Sequence, residues 1–215
     1  GTVSGLNTTY AGYSAGTGQV IPLTSCDPNN LNSNSPYSNL FEWNEDATFL
    51  FSCYQSGWFA LDAASSALTP ARGYSGWMNA GSTISVTGTP NTGAVSYGAL
   101  SNTNGLVDAD GWHVLSNPYP SPMNIDAVTT DGFTSPQYYD NSTAFSGTYQ
   151  SVVAGGGVVP IMQGFVSHAN GPQTFSPDNG DRIASNNPNF AKSNNWFDYK
   201  LDVLVEVQGN LDITY

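Results

Sequence analysis

The chain has 215 residues, 39% of them hydrophobic and 9% charged, with 4 Lys and Arg against 16 Asp and Glu for a formal charge of −12. That hydrophobic share can furnish the core of one domain, and so few charges exclude disorder driven by charge repulsion. With cations only at Arg72, Arg182, Lys192 and Lys200, such a surface cannot neutralise a run of phosphates, which excludes nucleic acid as a partner and argues against anionic membranes.

Residues 1–39 form a polar segment rich in Gly, Ser and Asn, broken by the apolar patch Val20-Ile21-Pro22-Leu23. Cys26 and Cys53 are an even pair in a composition typical of secreted proteins, and a disulfide between them would constrain the unfolded chain by roughly 3 kcal/mol; two free thiols are the other reading. Within residues 40–215, expected as the main β-rich body of a single β-sandwich domain, short aromatic runs follow one another: 39–44, 47–54 and 57–61. The run 62–68, capped by Asp62 and stopped by Pro70, is the best helix candidate. Strands are then expected at 73–78, 83–87 and 94–97, the last two joined as a hairpin through the turn cluster 87–93. After 111–116, the prolines at 118, 120 and 122 end a strand. Further strands are expected at 136–140, 147–153, 163–168 and 173–175. From Phe197 to Gln208 apolar and polar residues alternate with a period of two, apart from Leu204, the pattern of a long half-buried strand.

Ser, Gly, Asn and Thr together supply 89 of the 215 residues, while the strong helix formers are scarce. The fold class expected is therefore all-β: an antiparallel β-sandwich, jelly-roll or Ig-like, with long polar loops. No run reaches the roughly 18 apolar residues of a membrane span, so direct membrane insertion is not expected. The chain starts at Gly1 rather than Met, so any export signal is expected to be already removed or to lie outside it.

Gly111-Trp112-His113-Val114-Leu115-Ser116-Asn117-Pro118-Tyr119-Pro120-Ser121-Pro122 resembles a pattern in large secreted and surface proteins of the Bacteroidota. Leu68 to Tyr74, Val86 to Gly93 and Ile161 to Val166 resemble other parts of that pattern in the same order, although Ala71 stands where the pattern has Gly. The likeness spans about Phe41 to Phe175 and is most specific at Asn-Pro-Tyr-Pro-Ser-Pro. Proteins of this kind are exported by the type nine secretion route. The resemblance implies a non-catalytic β-rich module at the cell surface or outside the cell, serving adhesion or scaffolding.

Gly12-Tyr13-Ser14-Ala15-Gly16 has the spacing of a hydrolase nucleophile elbow, but its neighbours lack the strand and helix that such an elbow requires. Carboxylate pairs occur at Glu42 with Glu45 and Asp46, at Asp108 with Asp110, and at Asp178 with Asp181, the raw material of a glycosidase if two converge in a cleft. Asp108, Asp110, Asp178, Asn179 and Asp181 are also candidates for calcium, the one cofactor the sequence entertains, since hard cations take carboxylate and amide oxygens. His113 and His168 read as structural. Trp77, Tyr138 and Tyr139 are the candidate carbohydrate-binding aromatics, whereas Trp58 and Trp112 read as core. The expected role is extracellular and structural or adhesive, a module of a surface adhesin or subunit of a surface assembly that pairs strands with other copies of itself or with other cell-surface proteins. A carbohydrate-binding module with a polysaccharide ligand is the alternative.

Overall fold

The computed structural model describes residues 2–4, 18–19, 40–46, 57–60, 68–76, 85–87, 89–103, 110–143, 146–152 and 157–183. In chain order the strands are β1 (Thr2–Ser4), β2 (Gly18–Gln19), β3 (Leu40–Trp43), β4 (Trp58–Ala60), β5 (Tyr74–Gly76), β6 (Ser85–Thr87) and β7 (Tyr97–Leu100). Then come β8 (Trp112–Ser116), β9 (Met123–Asn124), the single-turn helix α1 (Asp126–Thr130), β10 (Phe133–Thr143) and β11 (Ser146–Ser151). β12 (Val158–Val159), β13 (Gly164–Ala169), β14 (Gln173–Phe175) and a 3-10 turn at Asn179–Asp181 complete the described order.

The architecture is an all-β antiparallel sandwich. One four-stranded sheet has the order β11-β10-β13-β8 and another β2-β4-β3-β5, with two-stranded pairs β1-β6, β12-β9 and β14-β7 beside them. Alternation along the strands decides what is buried: His113 and Leu115 of β8, and Phe165, Ser167 and Ala169 of β13, all point inward. They meet a core of Leu100, Tyr119, Met123, Ile125, Val128, Phe133, Val159 and Phe175, in which Phe133 and Phe165 each meet Phe175 edge to face. The two larger sheets are tied where Trp43 Nε1 donates to the Trp112 carbonyl at 2.7 Å. Arg72 reinforces that junction, donating to the Trp43 carbonyl at 2.7 Å and pairing with Glu42 at 2.9 Å.

The Asn-Pro-Tyr-Pro-Ser-Pro run forms a knot beneath the core. Buried Asn117 donates from Nδ2 toward the carbonyls of Ser121, Val159 and Pro160 at 2.8, 3.1 and 3.1 Å, and its Oδ1 accepts from Tyr119 N–H at 2.9 Å. The Tyr119 hydroxyl lies 2.7 and 2.6 Å from the carbonyls of Gly93 and Pro177, under the Arg182 guanidinium. Burial, with Asp181 and Asp178 nearby, pushes that phenol up to about 12 against the opposing pull of Arg182. Ala71, where the resembled pattern has Gly, adopts φ +64°, the left-handed region that favours glycine.

Among the described residues the hairpin expected across 83–97 does not form. β6 pairs with β1, and β7 pairs with β14. The turn cluster between them is instead held by distant groups: Asn91 Nδ2 donates to the Pro118 carbonyl, Gly93 N–H to Asn179 Oδ1, and Val95 N–H to the Pro177 carbonyl. Those long-range bonds outweigh the local turn preference. The strand at 47–54, all but the end of the helix at 62–68, the Cys26–Cys53 pair and the alternating run 197–208 lie outside the described residues.

Candidate interaction edge

β10 carries Pro136, which has no N–H to give a ladder, and the pairing accommodates it with a bulge. The register with β13 runs Phe133↔Ala169, Thr134↔His168, Gln137↔Val166, so one extra residue of β10 is absorbed there, where Ser135 takes φ +52°. Among the described residues the register past Gln137 continues with β11 only: Tyr138↔Gln150, Tyr139↔Tyr149 and Asp140↔Thr148. This outer part of β10 and β11 is therefore a two-stranded ribbon.

Alternation puts Tyr138 and Tyr139 on opposite faces of the ribbon. Tyr138 is half-buried, whereas Tyr139 and its cross-strand partner Tyr149 are 48% and 54% exposed, the large hydrophobic residues most open to solvent among those described. Their rings lie 5.2 Å apart at 64°, an edge-on pair and not a coplanar platform. β11 reads Ser-Gly-Thr-Tyr-Gln-Ser, without a charge or a proline, and the side chains of Thr148, Gln150 and Ser151 are exposed beside Tyr149.

The sheet ends differently on its two sides. Beyond β8 the segment 71–73 is laid down as a further antiparallel partner: Ser116 N–H donates to the Ala71 carbonyl at 2.8 Å and Gly73 N–H to the Val114 carbonyl at 2.9 Å. Among the described residues the order stops at β11 on the other side. A terminal strand presents backbone donors and acceptors in a row, and one without Lys, Pro or an inward charge lacks the usual devices that discourage pairing with another chain.

The other candidate residues are placed apart from this edge. Asp178 Oδ1 accepts from Gly180 N–H at 2.6 Å and Asp181 accepts from Asp178 N–H at 2.8 Å, a capping box on the 3-10 turn. Asn179 Oδ1 takes Gly93 N–H, so these oxygens are engaged by backbone N–H groups of the turn and of the 93 loop. Asp110 lies 3.4 Å from the Thr103 hydroxyl. Among the described residues no group of three or more His, Cys, Asp or Glu is arranged to hold a metal ion. Trp77, Asp108, Ser14, Cys26, Cys53 and Trp196 fall outside the described residues.

The acids Glu42, Glu45 and Asp46 have separate surroundings: Glu42 pairs with Arg72, Asp46 is exposed, and Glu45 is 1% exposed. Burial tends to raise the Glu45 carboxyl, but the hydroxyls of Ser101 (2.5 Å) and Thr103 (2.7 Å) and the N–H groups of Gly111 (2.9 Å) and Thr103 (3.1 Å) together hold it below the usual carboxylate value. The group is a staple between the 101–103 and 110–111 loops. His113, opposite Ser167, and His168, opposite Trp112, face opposite sides of the sheet. His113 is buried, and its Nε2 donates to the Ser101 carbonyl at 2.7 Å; burial pushes this imidazole below its ordinary value.

Sequence reading singled out Tyr138 and Tyr139 and passed over Tyr149. The signal was present: the polar run Asn141-Ser142-Thr143 and the pair Ser146-Gly147 flank residue 144, and a hairpin centred there sets 139 opposite 149. Comparisons of the chain with protein-family models, with curated proteins and with solved structures find no match in any of the three.

Proposed function

We propose that this chain is a non-catalytic structural or adhesive protein of the cell surface or extracellular space, joined to other copies by strand pairing at the β11 edge. The observation that carries this reading is the contrast between the two ends of one sheet, β8 covered by residues 71–73 and β11, an uncharged strand, ending the order among the described residues. The secretory composition and the resemblance of residues 41–175 to modules of Bacteroidota surface proteins support the setting. The sequence also offers a donor in the alternating run 197–208, which lies outside the described residues.

The test is light scattering on size-exclusion eluate of the native chain, with and without a calcium chelator, beside the variants Thr148→Lys and Gln150→Lys. Ordered species larger than a monomer that are lost in the Lys variants are expected. A monomer at every concentration, or assemblies indifferent to both substitutions, sinks the reading. Polysaccharide binding is the second reading, favoured by the exposed rings of Tyr139 and Tyr149. It requires saturable binding that Tyr149→Ala removes from a folded protein.

A further inference from the structure

We propose that Tyr139 and Tyr149 form a site of oxidative cross-linking that closes the outer ribbon covalently. Three observations converge on it. The two residues are direct cross-strand partners, so the backbone register fixes their Cβ atoms on one face within roughly 5.5 Å. Their rings already touch edge-on, with centroids 5.2 Å apart. Both are about half exposed, at 48% and 54%, so a small oxidant or an oxidising enzyme reaches them. Among the described residues this is the one ring contact made by two tyrosines.

The co-reactant is a one-electron phenol oxidant, here a peroxidase supplied with hydrogen peroxide. Each phenol loses the hydrogen atom of its O–H bond to give a phenoxyl radical. The two radicals join through ring carbons ortho to oxygen, forming one C–C bond. The two ortho hydrogens then move to the oxygens as the rings regain aromaticity and both hydroxyls are restored. Two phenols and one peroxide thus give one dityrosine and two waters, the protein losing two hydrogen atoms and the peroxide being reduced. The edge-on arrangement favours this intrachain route, because a modest rotation of either ring brings ring edges together without moving the strands.

The link would matter where it sits. Among the described residues, β10 past Gln137 pairs with β11 alone, the edge-on tyrosines span that pair, and a two-stranded ribbon is marginally stable in water. A covalent bond between β10 and β11 fixes the terminal strand of the sheet in its pairing geometry, a form of hardening suited to an extracellular structural material.

The experiment treats dilute native protein with peroxidase and hydrogen peroxide, follows dityrosine fluorescence, and maps the linked peptides by mass spectrometry. A species lighter by two hydrogen atoms, running as a monomer and joining 139 to 149, is expected. Tyr139→Phe and Tyr149→Phe keep the rings and the fold but should each abolish that linked peptide, while Tyr138→Phe should retain it. Links that map to other tyrosines, links formed only between chains, or a yield unchanged in both Phe variants would overturn the proposal.

Discussion

Asn117 shows how one side chain fastens several segments. Its amide reaches the carbonyls of Ser121, Val159 and Pro160 and receives the Tyr119 N–H, all in a buried position. Asn117→Ala strands several of those groups away from water, at about 1–3 kcal/mol for each one left without a partner, so a loss of about 3 kcal/mol is expected in urea unfolding. An effect below about 1 kcal/mol would mean that water replaces the amide. Glu45 and His113 both weaken the fold as acid is added, while Asp131, whose carboxyl burial raises, works the other way at the lower end. The first two are held below their ordinary values of 4.5 and 6.5 when folded, so in each case the unfolded chain takes up protons first as pH falls. The stability that depends on neutral His113 declines below about 6.5, and that from ionised Glu45 below about 4.5, each until the lower folded value is passed. Urea midpoints measured from neutral pH downward should therefore fall in two stages, and Glu45→Gln should flatten the lower stage while enlarging the upper one, because the Glu45 charge favours the His113 cation in the fold. A midpoint independent of pH between 7 and 4 would contradict both assignments.

At the scale of strands, the β8 edge depends on a close approach that only glycine permits. A Cβ at Gly73 would strike the Leu115 carbonyl oxygen and come within 2.6 Å of Val114 Cγ1. Gly73→Ala should therefore lift the 71–73 segment and destabilise by about 1–3 kcal/mol. Faster hydrogen exchange at the Ser116 and Gly73 amides, with Val166 unchanged, would report the lifting; equal acceleration at all three would mean global unfolding instead. The strands 40–43, 58–60, 112–116, 164–169 and 173–175 fall on or within one residue of their expected runs, whereas the strand expected at 94–97 begins only at Tyr97. α1 was not legible, because a single turn whose Ala127 and Val128 enter the core carries too little periodicity to read. β10 was expected at 136–140 and extends from 133 to 143, since a bulge at Ser135-Pro136 lets pairing run through a proline that reads as a breaker. Of the candidate edge, Tyr138 and Tyr139 were visible as aromatics, but the importance of Tyr149 and of the uncharged β11 depends on sheet order, which a single sequence does not encode locally.

For the molecule as a whole, a charge of −12 and the proposed assembling role pull against each other. Two copies repel wherever their acids face, and with only 4 cations against 16 acids there is little to compensate across an interface. In the proposed pairing β11 would ease part of this conflict, because the strand would contribute backbone hydrogen bonds and carries no charge. The residual repulsion comes from acids outside β11, Asp140 opposite Thr148 among them, and is screened as the Debye length falls from about 10 Å at 0.1 M salt to about 3 Å at 1 M. Association of the native chain should therefore strengthen with added sodium chloride, seen as a rise in mass-average molecular weight at fixed protein concentration. The Thr148→Lys variant should respond less steeply, since its new cation offsets local repulsion while blunting the edge. Dissociation by salt would point the other way, to an interface built on ion pairs through Arg72 or Arg182, and would remove β11 from the contact.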